Sequence, residues 1–166
     1  KVKRTKHHPS LPATRIGEFL AELRALPGIS ARALEFTILT AARVSEVRFA
    51  TWREFDLETK VWTVPGERMK AGLPHRVPLS DRAVEILQSL PMAKKDALVF
   101  PGRLAGRALS QDTLNNVVKQ IHDTRVKANL AGYLDPKREQ IATVHGMRST
   151  FTDWARTLTN YSIEAQ

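Results

Sequence analysis

A histidine and an arginine stand three residues apart in the stretch Val144–Trp154 of this 166-residue chain. The stretch contains no proline and can therefore be helical, which would place His145 and Arg148 on one helical face. An imidazole exchanges a proton near neutral pH, and a guanidinium holds two oxygens of one phosphate in a planar fork. The pair suits a phosphodiester whose neighbouring hydroxyl must be activated. The alternative from these residues alone is a capped helix whose His145 and Arg148 only face water.

Two further cationic side chains have settings that suit phosphate binding. Arg43 directly follows the small residues Ala41 and Ala42, which allow close approach to the backbone, and Glu46 at i+3 can hold its side chain in place. The pattern predicts a buried Arg43. Lys70 precedes a turn in a predicted hairpin, where it would be brought to a ligand. A lysine at a hairpin tip that is merely solvated is the alternative.

The elements that must position these residues are mostly helices. Apolar residues at helical spacing predict helices that begin near Thr14, Ser30, Ser80 and Ser110, and a last helix through His145. Alternating residues predict three strands, which are Trp52–Leu57, Val61–Val64 and His75–Leu79. We therefore expect a mainly α fold with one small three-stranded antiparallel sheet. Residues 1–12 are interpreted as a basic interdomain linker or arm, and residues 13–166 as one compact domain.

The composition favours a polyanionic partner. Lys and Arg number 26 against 17 acidic residues, which gives a net charge of +9 and a pI near 10.3. A balance this basic points to nucleic acid or to an anionic membrane surface, with nucleic acid favoured. No apolar run is long enough to span a bilayer, and no signal-peptide pattern opens the chain. The absence of cysteine excludes disulfides and thiolate metal sites, and a cytosolic or nucleoid location fits.

Taken in order, these motifs resemble the catalytic domain of the tyrosine recombinases, the family of phage integrases and related site-specific recombinases. The resemblance extends from about Thr14 to the last residue. The matching segments are Ala42-Arg43-Val44-Ser45-Glu46, Met69-Lys70 with Arg76-Val77-Pro78-Leu79-Ser80, and His145-Gly146-Met147-Arg148. Lys6-His7-His8-Pro9 is similar to the junction that prophage integrases place before this domain.

The resemblance implies a reaction and a role for each residue. A tyrosine attacks a DNA phosphodiester, forms a 3′-phosphotyrosyl link and expels a 5′-hydroxyl, without metal or cofactor. Arg43 and Arg148 would hold the nonbridging oxygens and stabilise the transition-state charge. Lys70 would protonate the leaving oxygen, and His145 would assist proton transfer or hold the phosphate. The expected partner is double-stranded DNA at attachment sites, and the parent protein would act as a tetramer in phage or prophage integration.

The end of the sequence departs from the family pattern. A second His or Trp and then the nucleophilic tyrosine should follow Arg148, yet only 18 residues do, with Tyr161 the sole tyrosine among them. In a continuous helix Tyr161 would lie about 20 Å from Arg148. We interpret Tyr161 and Trp154 as packing residues, and Tyr133 as lying in the wrong region for the nucleophile. The expectation is a truncated catalytic domain that binds DNA as a monomer and does not cleave it.

Three other interpretations remain open from the sequence. A type IB topoisomerase shares the fold and the phosphotyrosine chemistry. A non-catalytic DNA-binding remnant of a prophage integrase would occupy sites without cutting. A basic helical adaptor for protein partners would not bring Arg43, Lys70, His145 and Arg148 together in space.

Overall fold

The computed structural model describes residues 8–104 and 106–158, with the backbone alone at residue 158. Two compact units make up the chain. The sheet unit is the contiguous segment 27–114, and the terminal unit combines the described parts of 1–26 and 115–166. The second unit is thus built from two segments that are far apart in the sequence.

The helices and strands follow one another as helix α1 (Ile16–Ala25), α2 (Ile29–Thr40), α3 (Val44–Arg48), strands β1 (Phe55–Asp56), β2 (Val61–Val64) and β3 (His75–Pro78), helices α4 (Asp81–Ser89) and α5 (Thr113–Lys127), strands β4 (Leu134–Asp135) and β5 (Gln140–Ile141), and helix α6 (Val144–Leu158). Short 3₁₀ turns cover Ala13–Arg15, Trp52–Glu54 and Gly66–Arg68. Among the described residues, no helix combines the length and the apolar character that crossing a membrane requires.

The predicted small antiparallel sheet is confirmed. Strand β2 lies between β1 and β3, with Trp62 opposite Phe55 on one side and Val77 on the other. The first strand is shorter than the predicted Trp52–Leu57. The reason is a capping box, in which Glu54 accepts hydrogen bonds from the backbone and the hydroxyl of Thr51 and turns the chain before the strand begins.

Aromatic side chains form the core of the sheet unit. The rings of Trp62 and Phe100 lie 5.5 and 5.4 Å from that of Phe36, and all three residues are fully buried. Phe55 stacks on Trp62 with a centroid distance of 5.5 Å. Helix α2 and the sheet are thereby joined through one aromatic cluster, whose preferred ring geometries add to the burial of apolar area.

A buried carboxylate joins α2 to α4. Glu35 is fully buried and accepts hydrogen bonds from Nε and Nη2 of Arg82 at 2.8 and 3.1 Å. Arg32 lies 3.4 Å from the same carboxylate. The hydrogen bond with Glu35 is the main cause that raises the pKa of Arg82. This paired charge fixes the two helices against each other.

The core of the terminal unit surrounds Tyr133. Its ring meets that of Phe19 edge-on at 5.0 Å, and both residues are fully buried. The guanidinium of Arg125 lies over the same ring and pairs with Glu18 at 2.7 Å and with Glu22. Helices α1 and α5 are held together by this combination of packing and ion pairs.

A second pair of strands was not predicted. Strands β4 and β5 pair antiparallel, with Leu134 opposite Ile141 and Asp135 opposite Gln140. Oδ1 of Asp135 accepts hydrogen bonds from the backbone N–H groups of Lys137 and Arg138, and this Asx turn reverses the chain. The two-residue strands are too short to show a period in the sequence.

Of the predicted helix starts, the one at Ser80 is confirmed, because its hydroxyl accepts the N–H of Ala83. The second helix begins one residue before Ser30. Gly28, with φ of 95°, precedes α2 in a conformation that favours glycine, and the helix begins at Ile29. Thr14 lies in a 3₁₀ turn before α1, and α5 begins three residues after Ser110.

Candidate phosphate-binding and catalytic site

Arg43 is held by Glu46 at the start of α3. One carboxylate oxygen of Glu46 accepts the backbone N–H of Arg43 at 2.8 Å, and the other accepts Nη1 of its guanidinium at 2.7 Å. Glu46 is buried, whereas half of the Arg43 side chain, 54%, is exposed. The predicted Glu46 contact is therefore present, but the predicted burial of Arg43 is wrong. A guanidinium that is fixed on one side and exposed on the other is suited to an external anion.

The chain turns sharply just before this arginine. Ala41 closes α2 with φ of 49° and ψ of 25°, in the left-handed region, and Ala42 is almost fully buried. A non-glycine residue in that region carries a conformational cost of about 1 kcal/mol. The strained turn places Arg43 at the N-terminus of α3, where its backbone N–H is one of the donors that Glu46 satisfies.

Lys70 lies in the loop between β2 and β3 and is exposed. The two sides of the loop approach closely at its base. A Cβ on Gly66 would fall only 2.4 Å from the carbonyl oxygen of Gly72, so only glycine fits there. The N–H of Gly72 donates to the carbonyl of Met69 at 3.0 Å. The loop thus presents the lysine to solvent on a closed turn, and that Lys70 meets a ligand there remains a prediction.

Arg68 ties this loop to the helix that carries Arg43. Its Nη1 donates to the backbone carbonyl of Glu46 at 3.0 Å, and its Nη2 pairs with the buried carboxylate of Glu54. The same carboxylate oxygen of Glu54 accepts the indole N–H of Trp62 at 2.9 Å. Two elements that carry candidate site residues are therefore joined by hydrogen bonds within the sheet unit.

His145 and Arg148 both lie in the first turns of α6, three residues apart, as predicted. Val144, Met147 and Thr150 of the same helix are buried, while His145 is exposed and Arg148 is partly exposed. The helix therefore packs through one face and presents the candidate pair on the other.

The N-terminus of α6 is capped by side chains. Thr143 Oγ1 accepts the N–H of Gly146 at 3.0 Å, and Oδ1 of Asn115 accepts the N–H of Val144 at 3.0 Å. These bonds satisfy backbone donors that the first turn leaves without a helical partner.

The four predicted site residues divide between the two units. Arg43 and Lys70 belong to the sheet unit, and His145 and Arg148 to the terminal unit. In the sheet unit, Arg68 joins the loop of Lys70 to the helix that follows Arg43. In the terminal unit, one helix carries both His145 and Arg148. That all four surround one cleft remains a prediction.

Three aromatic residues were considered in the sequence, and they differ in how the structure bears on them. Trp154 is 38% exposed, with its ring 5.6 Å from that of Phe151, so the expectation that it belongs to the core is wrong. Helical spacing places Trp154 on the same face of α6 as Met147 and Thr150, but farther along the helix, where its side chain is exposed. Tyr161 lies outside the described residues. Tyr133 is fully buried, and burial is the main cause that raises its pKa to about 12.

Sequence reasoning missed Glu54 and Arg68. The signal for Glu54 was available, because Thr51-Trp52-Arg53-Glu54 has the spacing of a capping box. Nothing local in the sequence signals Arg68, whose partners lie 14 and 22 residues away.

Two solved structures with the same fold are integrases in complex with DNA. The integrase of the Tn1549 transposon, in complex with a circular intermediate DNA, matches 96% of this chain and 57% of its own length with a TM-score of 0.69 and 18% identity. The lambda integrase tetramer bound to a Holliday junction matches 95% of this chain and 46% of its own length, with a TM-score of 0.59 and 17% identity. The fold is that of the tyrosine recombinase catalytic domain.

Residues 11–163 match the sequence pattern of the phage integrase family, and the chain belongs to that family. The integrase of Enterobacteria phage P4 is 35% identical over 141 residues, which cover 75% of this chain and 32% of that protein. The prophage integrase IntZ of Escherichia coli strain K12 is 35% identical over 154 residues, which cover 92% and 35%. The chain thus spans about a third of the length of these relatives.

Proposed function

We propose that the chain provides the catalytic-domain chemistry of a site-specific recombinase that integrates phage or prophage DNA. The proposal rests on one pair of cationic or titratable residues in each unit. In the sheet unit, Arg43 is fixed by Glu46 near the loop of Lys70. In the terminal unit, His145 and Arg148 lie on the outward face of α6. Membership of the phage integrase family supports the reaction class. The proposed partner is double-stranded DNA at attachment sites in the bacterial cytoplasm, and the whole protein would assemble on it as a tetramer.

The proposed reaction uses each residue at a stated atom. A tyrosine oxygen attacks phosphorus, its proton leaves to a base, and the bond from phosphorus to the 5′ oxygen breaks. Lys70 Nζ gives a proton to that leaving oxygen, and the two guanidinium groups of Arg43 and Arg148 neutralise charge on the nonbridging oxygens. His145 transfers a proton or holds the phosphate. The 3′-phosphotyrosyl bond conserves the energy for rejoining, so no nucleotide is consumed.

Tyr133 does not suit the role of nucleophile. Its hydroxyl is buried against Arg125, and its pKa is raised, so neither access nor ionisation favours attack on DNA. This observation favours a second candidate for the chain by itself, a module that binds DNA and its phosphate without forming a covalent adduct.

The first test is DNA binding as a function of salt. We expect Kd for a duplex to rise steeply with salt concentration. In Arg43→Ala or Arg148→Ala, the slope of log Kd against log salt concentration should fall by the amount that about one phosphate contact contributes. Arg103→Ala and Lys94→Ala, which remove exposed cations from elsewhere on the chain, are the matched controls. An affinity that is independent of salt, or equal losses in the controls, would contradict the proposal.

The second test is a nicked suicide substrate, which traps a phosphotyrosyl adduct. We expect no adduct with this chain, and an adduct with a longer protein from the same gene. An adduct that persists in Tyr133→Phe and disappears in Tyr161→Phe would show that this chain is itself catalytic. No adduct with the longer protein would favour the DNA-binding module.

A further inference from the structure

The segment His8–Leu11, here called the strap, is bonded to the helix that carries His145 and Arg148. The carbonyl of Pro9 accepts the N–H and the hydroxyl of Thr143 at 3.0 and 3.2 Å. Farther along α6, the hydroxyl of Thr150 donates to the carbonyl of Leu11 at 2.6 Å. The strap therefore crosses the first two turns of α6, and it does so through backbone atoms.

The strap is also anchored by its buried Leu11 side chain and by Asp135. Leu11 is 2% exposed, and the N–H of Ser10 donates to the buried carboxylate of Asp135 at 2.8 Å. These contacts leave the backbone of residues 9 to 11 little freedom to move. A short segment with this many bonds defines the position of the residue that precedes it, which is His8.

His8 meets the candidate catalytic histidine. The two imidazole rings lie 4.2 Å apart with an interplanar angle of 60°, an edge-on contact. His145 itself is exposed, so its ring lies at the surface of the terminal unit. An edge-on aromatic contact of this kind restricts the orientation of the ring it touches.

We propose that His8 is a positioning residue for His145, held in place by the strap, and that the segment entering the domain thereby couples to the phosphate site. The proposal rests on the proposed function for its effect on DNA, because His145 matters there as a phosphate or proton-transfer group. Residues 8–11 were interpreted from the sequence as part of an arm. The contacts assign them a part in the site, while residues 1–7 lie outside the described residues.

The test compares three variants in the same chain. His8→Ala removes the ring, His8→Phe retains an aromatic ring that has no ionisable group, and His75→Ala is the control, an exposed histidine of β3. The first measurement is the NMR signal of the His145 ring without DNA. We expect it to move in His8→Ala, to move less in His8→Phe and to stay unchanged in His75→Ala. An unmoved signal in His8→Ala would overturn the proposal whether or not the protein binds DNA.

The second measurement is duplex affinity against salt. We expect Kd to rise about three- to tenfold in His8→Ala with an unchanged salt slope, and to recover in His8→Phe. A reduced slope, or no recovery with Phe, would make His8 a DNA contact in its own right and would contradict a positioning role. If no variant binds DNA, the proposed function fails, while the NMR result still decides the contact between the two rings.

Discussion

The carbonyl oxygen of Pro9 lies where a side chain on Gly146 would have to be, since an ideal Cβ there falls 1.8 Å from that oxygen. The oxygen is a backbone atom and the position of the Cβ is fixed by the backbone, so neither can move away by a side-chain rotation. We expect Gly146→Ala to displace the strap and to lose the Thr143–Pro9 bonds, lowering the free energy of unfolding by about 2 to 4 kcal/mol. Urea unfolding followed by circular dichroism measures the loss.

The matched control for Gly146→Ala is Gly17→Ala. Gly17 is also helical, in α1, and a Cβ there meets nothing within 4 Å. Alanine favours helix over glycine, so this variant should be neutral or up to about 1 kcal/mol more stable. Equal destabilisation of the two variants would show that the close approach of Pro9 is not the cause.

The Lys70 loop depends on Arg68, the residue that bonds it to α3 and to Glu54. In Arg68→Gln we expect endoprotease Lys-C to cut after Lys70 about tenfold faster, because losing a charged hydrogen bond makes local opening easier. Mass spectrometry of early digestion products gives the rate. The exposed Arg76 of β3 supplies the control Arg76→Gln, and faster cutting in that variant as well would exclude a specific anchor.

Glu35 and Arg82 form the ion pair whose loss should cost the sheet unit most. Arg82→Met leaves the fully buried Glu35 with only part of its pairing, and we expect the free energy of unfolding to fall by roughly 2 to 4 kcal/mol. Replacing the exposed Lys94 by Met should change it by less than about 0.5 kcal/mol. Chemical denaturation of both variants decides, and an Arg82→Met protein as stable as the parent would show that Arg32 suffices.

Asp135 makes the strap sensitive to acid. Burial opposes its ionisation, but hydrogen bonds from the backbone of Ser10, Lys137 and Arg138 outweigh this effect and lower its pKa below 3.8. A lowered folded-state pKa contributes stability above the unfolded value, and this contribution is lost as pH falls through the folded one. The stability difference between the parent and Asp135→Asn should thus be constant above about pH 5 and shrink below pH 4. Asp112→Asn, at an exposed position, is the control and should change the free energy of unfolding by less than about 0.5 kcal/mol.

Tyr133 should be visible in an alkaline titration. Burial raises its pKa to about 12, so its contribution to stability is complete below about pH 10 and is lost as pH rises through the folded value. We expect Tyr133→Phe to remove a late component of the absorbance change at 295 nm. Loss of an ordinary component near about pH 10 instead of a late one would mean that the phenol is accessible, and Tyr133 would then become a candidate nucleophile.

Periodicity and short motifs predicted the elements well where the pattern extends over several residues. Strands β2 and β3 and the cap at Ser80 are local, and a sequence window contains everything that determines them. The pair Arg43–Glu46 could be predicted for the same reason, since the first turn of a helix brings residues three apart together.

The failures share a physical cause, which is dependence on distant partners. The burial of Asp135 and the contact of Pro9 with Gly146 join segments more than a hundred residues apart, and no local pattern reports them. Arg43 was expected to be buried because small residues precede it. Instead, Ala41 forms the left-handed turn that ends α2, and Ala42 is itself the buried residue.

The division of the terminal unit between both ends of the chain has a kinetic consequence. The bond from Thr150 to Leu11 joins residues 139 apart, and closing so long a loop in an unfolded chain costs about 4 kcal/mol of entropy. During synthesis, residues 27–114 leave the ribosome with their whole unit complete, whereas the strap must wait for α6. The helix with His145 and Arg148 therefore gains its support last, and an unfinished chain lacks this support for two of the four candidate site residues.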